Sequence, residues 1–149
     1  MAADDCPTST GRLFVSDRST KSQFLIDTGS DLCVFPRSML RDRRVRTDYL
    51  LGAANGSDIY TYGFVHLNLD FGLRRSFKWR FIVADVTKPI IGVDFLNYYH
   101  LIVDCRNKRL IDNTTTLTAN ASLVDLNLIT GISSVKVMTG ESKYHKILD

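Results

Sequence analysis

Residues 24–36 read FLIDTGSDLCVFP. One ionisable side chain, Asp27, ends an apolar run, with Thr28 and Gly29 directly behind it. A buried carboxylate is costly unless it is hydrogen-bonded or paired. Its neighbours can hold it. Gly29 admits a close backbone approach, and Thr28, Gly29 and Ser30 can offer N–H and hydroxyl groups to its oxygens. A carboxylate fixed in this way suits general acid–base chemistry.

Peptide hydrolysis by carboxylates needs two of them, one charged to activate water and one protonated to polarise the carbonyl. No second Asp-Thr-Gly or Asp-Ser-Gly exists in the 149 residues. Asp104 in IVDC and Asp85 in VADV follow apolar runs but have no Thr-Gly behind them. If Asp27 is catalytic, its partner is Asp27 of a second copy, across a two-fold axis.

The chain around this stretch is the length of one domain with a sizeable core. Its hydrophobic fraction of 44% and charged fraction of 23% are ordinary for a globular protein. No apolar run reaches membrane-spanning length, and the first residues have neither the basic nor the apolar region of a secretory signal. Net charge is +3, with arginines gathered at 37–46 and 74–80. These are expected to be solvated surface, and nucleic acid is not expected as a direct ligand. Cys6, Cys33 and Cys105 are widely spaced and form no zinc pattern, so free thiols in a reducing compartment are the simplest expectation. No metal or cofactor is expected.

The periodicity predicts a nearly all-β domain over 12–112, preceded by a flexible leader at 1–11. A linker or weakly structured extension is expected at 113–149, where NTTTLTANAS begins a Thr- and Asn-rich stretch. Strands are expected at 12–17, 23–27, 64–71, 76–85, 100–105 and 108–112, and one short helix at 93–99. Asn55-Gly56, between segments that can pair, predicts a hairpin turn with positive φ. Trp79, Tyr60 and Tyr62 are expected to pack rather than touch substrate.

The stretch at 24–36 resembles the active-site segment of the retropepsins, the dimeric aspartic proteases of retroviruses and LTR retrotransposons. A second resemblance lies at 89–96, PIIGVDFL, where the family carries an apolar-apolar-Gly segment before its single helix. The wording RLFVSDRST, AANGSDIYTYG and IIGVDFLNYYHLIVDCRNKRLID is closest to Ty3/gypsy-type retrotransposon Pol polyproteins, and SVKVMTGESKYHKIL resembles their connector toward a reverse transcriptase.

The resemblance implies a retropepsin-like acid protease barrel with one short helix and an active site at a homodimer interface. It implies that Asp27 of each subunit activates water and protonates the leaving amine. Thr28 stiffens the dyad across the axis, and Gly29 and Asp31 bind substrate main chain. A flap of Ala54, Asn55, Gly56 and Ser57 closes over the peptide. The implied substrate is a Gag or Gag-Pol-type polyprotein, and the implied location is cytoplasmic, inside virus-like particles. Val93 departs from the pattern, standing where many retroviral enzymes carry Arg, and the flap has a single glycine. Two other readings stay open: a catalytically silent dimerisation or peptide-binding module, and a cellular retroviral-like protease.

Overall fold

The computed structural model describes residues 11–125 and 135–136. The expected leader therefore lies outside the described residues, save for Gly11, and so does most of the tail beyond 125. Strands β1 (Gly11–Ser16), β2 (Gln23–Ile26) and β3 (Val34–Pro36) come first. They are followed by β4 (Leu50–Ala53), β5 (Asp58–Leu69), β6 (Phe77–Ala84) and β7 (Ile90–Ile91). Helix α1 (Val93–Tyr98) precedes β8 (Leu101–Asp104) and β9 (Arg109–Asp112). Then come β10 (Thr118–Asn120), β11 (Ser122–Asp125) and β12 (Val135–Lys136).

Among the described residues these strands form two sheets. One runs β11-β1-β2-β7-β3-β6-β5-β4-β12, the other β10-β9-β8. The fold is mostly β with one short helix, as the periodicity predicts. The linker expected from 113 does not describe residues 118–125. β10 pairs with β9, and β11 pairs with β1 from Gly11↔Asp125 to Phe14↔Ser122. Backbone pairing is indifferent to the polar Thr and Asn side chains, so composition gave no sign of it.

β2 explains its own apolar run. Phe24 and Ile26 face one core cluster and Leu25 faces the other. A strand buried on both faces loses the usual alternation of apolar and polar residues. The larger cluster is built on phenylalanines. Phe24 meets Phe81 edge-on with centroids 5.8 Å apart, and Phe77 lies 5.7 Å from Phe95. Trp79 packs edge-on against Phe95, as expected of it. β6 is buried on alternate residues and then on both faces, from Phe81 to Ala84. Tyr60 departs from its expected packing role: it is exposed, with the Arg46 guanidinium over its ring.

The basic stretch 37–46 is not merely solvated. Arg44 Nη1 donates to the carbonyls of Tyr62 and Phe64, at 3.3 and 2.8 Å. Those carbonyls flank Gly63, whose φ is +86°. Here β5 carries an extra residue against β6, between the pairs Thr61↔Ala84 and Phe64↔Ile82. This is a β-bulge with a guanidinium bound to its backbone. Arg37 lies over the Tyr62 ring and pairs with Asp85.

Of the cysteines, Cys33 is free and buried. Cys105 is disulfide-bonded, which corrects the expectation of free thiols throughout.

The sheets are locked by Arg75 and Asp112. Arg75 Nε and Nη2 donate to Asp112 at 2.9 and 3.0 Å, and Nη2 also reaches the Tyr99 carbonyl at the end of α1. Burial pushes the Asp112 carboxyl up, but the Thr114 N–H, Arg75 and the Thr115 hydroxyl outweigh it, and the net direction is down from 3.8. A carboxyl held below its unfolded value stabilises the fold at pH above that value, and the contribution fades as pH falls through the folded value. Removing one partner of such a buried pair costs about 3 kcal/mol. Urea unfolding of Arg75→Ala should therefore show a loss of that order at pH 7 and a much smaller one below pH 3. An equal loss at both pH values would assign Arg75 to packing alone.

Candidate active site

Asp27 stands at the C-terminal end of β2, 5% exposed. Its N–H donates to the Ile91 carbonyl at 3.0 Å, continuing the parallel pairing of β2 with β7. Its carbonyl accepts the Ser30 N–H at 3.0 Å, closing a tight turn through Thr28 and Gly29. The Gly29 N–H donates to Asp27 Oδ1 at 3.0 Å. The loop thus holds the carboxylate by backbone, as the order Asp-Thr-Gly predicts.

The second oxygen brings in a residue that the motif does not contain. Arg12 Nη1 lies 3.3 Å from Asp27 Oδ2. Hairpin register explains the meeting. β1 and β2 pair Phe14 with Leu25 and Val15 with Phe24, and continuing that register places Arg12 across from Asp27. Knowing the hairpin turn would have been enough to find Arg12. That turn is fixed by Asp17, whose carboxylate takes the hydroxyls of Ser19 and Thr20 and the Asp70 N–H.

The loop of residues 27–33 rests on the segment that follows β7. The Val93 N–H donates to the Ser30 carbonyl at 2.9 Å. Gly92 lies against the loop so closely that a Cβ there would sit 2.5 Å from the Leu32 carbonyl oxygen and 2.8 Å from that of Ser30. Asp94, in the first turn of α1, ties the same region together. Its oxygens accept the Cys33 N–H and the Trp79 indole N–H, both at 3.3 Å, and the Cys33 sulfur lies 3.2 Å away. Burial and then the Asp94 charge push the Cys33 thiol well up. Cys33 is therefore a packing residue and a poor nucleophile.

Among the other expected site residues, Thr28 is exposed, and Asp31 is half-buried two positions beyond Gly29. Ala54, Asn55, Gly56 and Ser57 form the turn between β4 and β5. The Gly56 N–H reaches the Ala53 carbonyl and the Ala53 N–H reaches the Ser57 carbonyl. Of the Asn-Gly pair only Gly56 takes positive φ, at +90°. Asn55 serves the turn with its side chain instead, accepting the N–H and hydroxyl of Ser57. The turn is thus three residues capped by a left-handed glycine, not the two-residue form.

Beneath it lies a cavity of about 250 Å³, lined by Ala53, Asn55, Ser57, Asp85, Lys88 and Ile90 among others. Asp27 does not line it. β7 borders both places: Ile90 lines the cavity and the Ile91 carbonyl accepts the Asp27 N–H. Among the described residues, no group of three or more His, Cys, Asp or Glu side chains is placed to hold a metal ion, and no helix is long and apolar enough to cross a membrane.

No protein-family model and no curated protein matches the chain. Solved structures match it in fold. The retroviral protease-like domain of Ddi1 from Leishmania major aligns with a TM-score of 0.56 at 16% identity, over 78% of this chain and 96% of that one. The EIAV protease in complex with the inhibitor HBY-793 aligns with a TM-score of 0.44 at 24% identity, over 59% of this chain and 85% of that one. The chain has a retropepsin-like fold.

Gly92→Ala tests the contact beneath the loop. The clash is with backbone, which cannot rotate away, so stability should fall by about 3 kcal/mol. The amides of Asp27 to Ser30 should exchange faster with solvent. A variant with wild-type stability and exchange would mean that the loop does not rest on Gly92.

Proposed function

We propose that the chain is an aspartic endopeptidase whose dyad is assembled from Asp27 of two copies. The observation that carries this reading is a buried carboxylate held by the Gly29 N–H at the end of β2, on a retropepsin-like fold, in a sequence with only one Asp-Thr-Gly. Two carboxyls brought together by a two-fold axis share one proton, because both cannot ionise cheaply at that distance. The charged one takes a proton from water as it attacks the peptide carbonyl. The protonated one polarises that carbonyl and the proton then passes to the leaving amine. No covalent intermediate forms.

Thr28 is exposed beside the dyad, where it can meet its counterpart across the axis. Gly29 and Asp31 hold the substrate main chain from below, and residues 54–57 close from above. The substrate lies extended, since only a strand can pair with flap and floor at once. A Gag or Gag-Pol-type polyprotein of a Ty3/gypsy-type element fits the wording of the sequence. A cellular protease of the retroviral-like type shares the same site, and the likeness in fold to the Ddi1 domain favours it as a second reading.

The test pairs mass with cleavage. Light scattering should show a dimer for wild type and for Asp27→Asn across a dilution series. Wild type should cleave an extended peptide with a bell-shaped dependence of kcat/KM on pH, as expected when one of two coupled carboxyls must be charged and the other protonated. Asp27→Asn should not cleave. Full activity in that variant would end the two-carboxylate mechanism. A dimer that binds peptides without cleaving them would leave only a silent module.

A further inference from the structure

The two long edges of β4 are used differently. One pairs with β5, Leu50 to Gly52 standing opposite Tyr60 to Asp58. The other is taken by a distant part of the same chain. β12 runs antiparallel to β4, with Val135 opposite Ala53 and Lys136 opposite Gly52. It is the outermost strand at that end of the sheet.

The position of this edge gives the pairing its meaning. Ala53 lines the cavity beneath the flap turn. The lining also includes Ile90, adjacent in sequence to the residue that binds the Asp27 N–H. An extended peptide adding itself to β4 beside that cavity would use the outward backbone groups of Gly52, since those of Ala53 are taken within the turn by the Ser57 carbonyl and the Gly56 N–H. A strand edge offers one row of donors and acceptors, so it seats one strand at a time.

We infer that residues 135–136 are a built-in competitor for the β4 edge, a strand of the chain itself that an extended peptide must displace. This rests on the protease reading above. Two residue pairs make a short ladder, so the occupant leaves without disturbing β4 and β5, which keep their own pairing. The affinity of the site for peptides is then set by how often β12 is seated. A strand seated nine-tenths of the time weakens apparent peptide affinity about tenfold.

The experiment uses the full chain carrying Val135→Pro and Lys136→Pro together. Successive N–H groups point to opposite sides of a strand, so the double substitution removes whichever one faces β4. Two quantities are read: hydrogen exchange at Gly52, and the Kd of a statine-containing hexapeptide, a mimic of the tetrahedral intermediate. Exchange should quicken and the statine peptide should bind about tenfold tighter. The synthetic peptide ISSVKVMT, residues 132–139, added to the double variant should restore the weaker binding. That peptide also guards against a variant that simply misfolds, since misfolded protein would not respond to it.

Unchanged exchange would overturn the occupancy of the edge. Faster exchange with unchanged statine affinity, in a wild type that binds statine, would overturn the competition and leave the protease reading intact. Failure of both chains to bind statine or cleave peptide would bring down the protease reading, and the competition with it.

Discussion

Gly92 has no side chain, and the rest of the site depends on that. The backbone of residues 91–93 lies against the loop of residues 27–33 at a separation that no Cβ fits. Because it lies there, Ile91 can take the Asp27 N–H from one side of Gly92, and Val93 can bond the Ser30 carbonyl from the other. Two backbone bonds and one steric contact thus fix the carboxylate-bearing turn from below. Retroviral enzymes that carry Arg at this place have a cation to spend on the loop. Here Val93 leaves the work to the backbone and to Asp94, which holds the exit of the loop through the Cys33 N–H.

Much of this was legible in the order of residues, and the reasons for the rest are specific. Phe24, Leu25 and Ile26 form a run because β2 is buried on both faces, and a run ending in Asp-Thr-Gly has few meanings. The likeness of PIIGVDFL to the family's apolar-apolar-Gly segment marked out the stretch that the structure places beneath that loop. Arg12 was not legible, because its meeting with Asp27 depends on the register of a hairpin whose turn had first to be placed. β10 and β11 were not legible either. Their strength lies in backbone pairing with β9 and β1, and Thr-rich sequence between turns looks the same whether or not a neighbouring edge receives it. Asn55 was read as a left-handed residue, but its side chain had a better use as an acceptor.

The carboxylates of this domain divide by what satisfies them. Asp17 is held by hydroxyls and an amide, which outweigh the burial that would push it up, so its direction is down. Asp112 is held by a guanidinium, an amide and a hydroxyl. Both are mortar, one in a hairpin turn and one between the sheets. Asp27 is held by one amide of its own loop and by an arginine that reaches it from the neighbouring strand. That arginine is a quarter exposed, so one neighbour of the carboxylate borders solvent. Asp27 and Asp112 share this pattern, each buried itself and each paired with an arginine that borders solvent.

The bulge at Gly63 divides β5 mechanically. Toward the body, Phe64 to Leu69 are paired residue for residue with β6; toward the turn, Thr61 still pairs with Ala84 and the Tyr60 carbonyl takes the Asp85 N–H, while Asp58 to Tyr60 pair with β4. About five residues of strand separate the bulge from Asp58, an arm of about 16 Å at 3.3 Å per residue. A rotation of about 10° at its base would carry the tip through about 3 Å, the size of a hydrogen bond made or broken. Arg44, bound to the two carbonyls that flank Gly63, holds the shape of the bulge at the base of that arm. A tie at the fulcrum sets where the arm bends; contacts farther out, with longer leverage, set how far its tip travels.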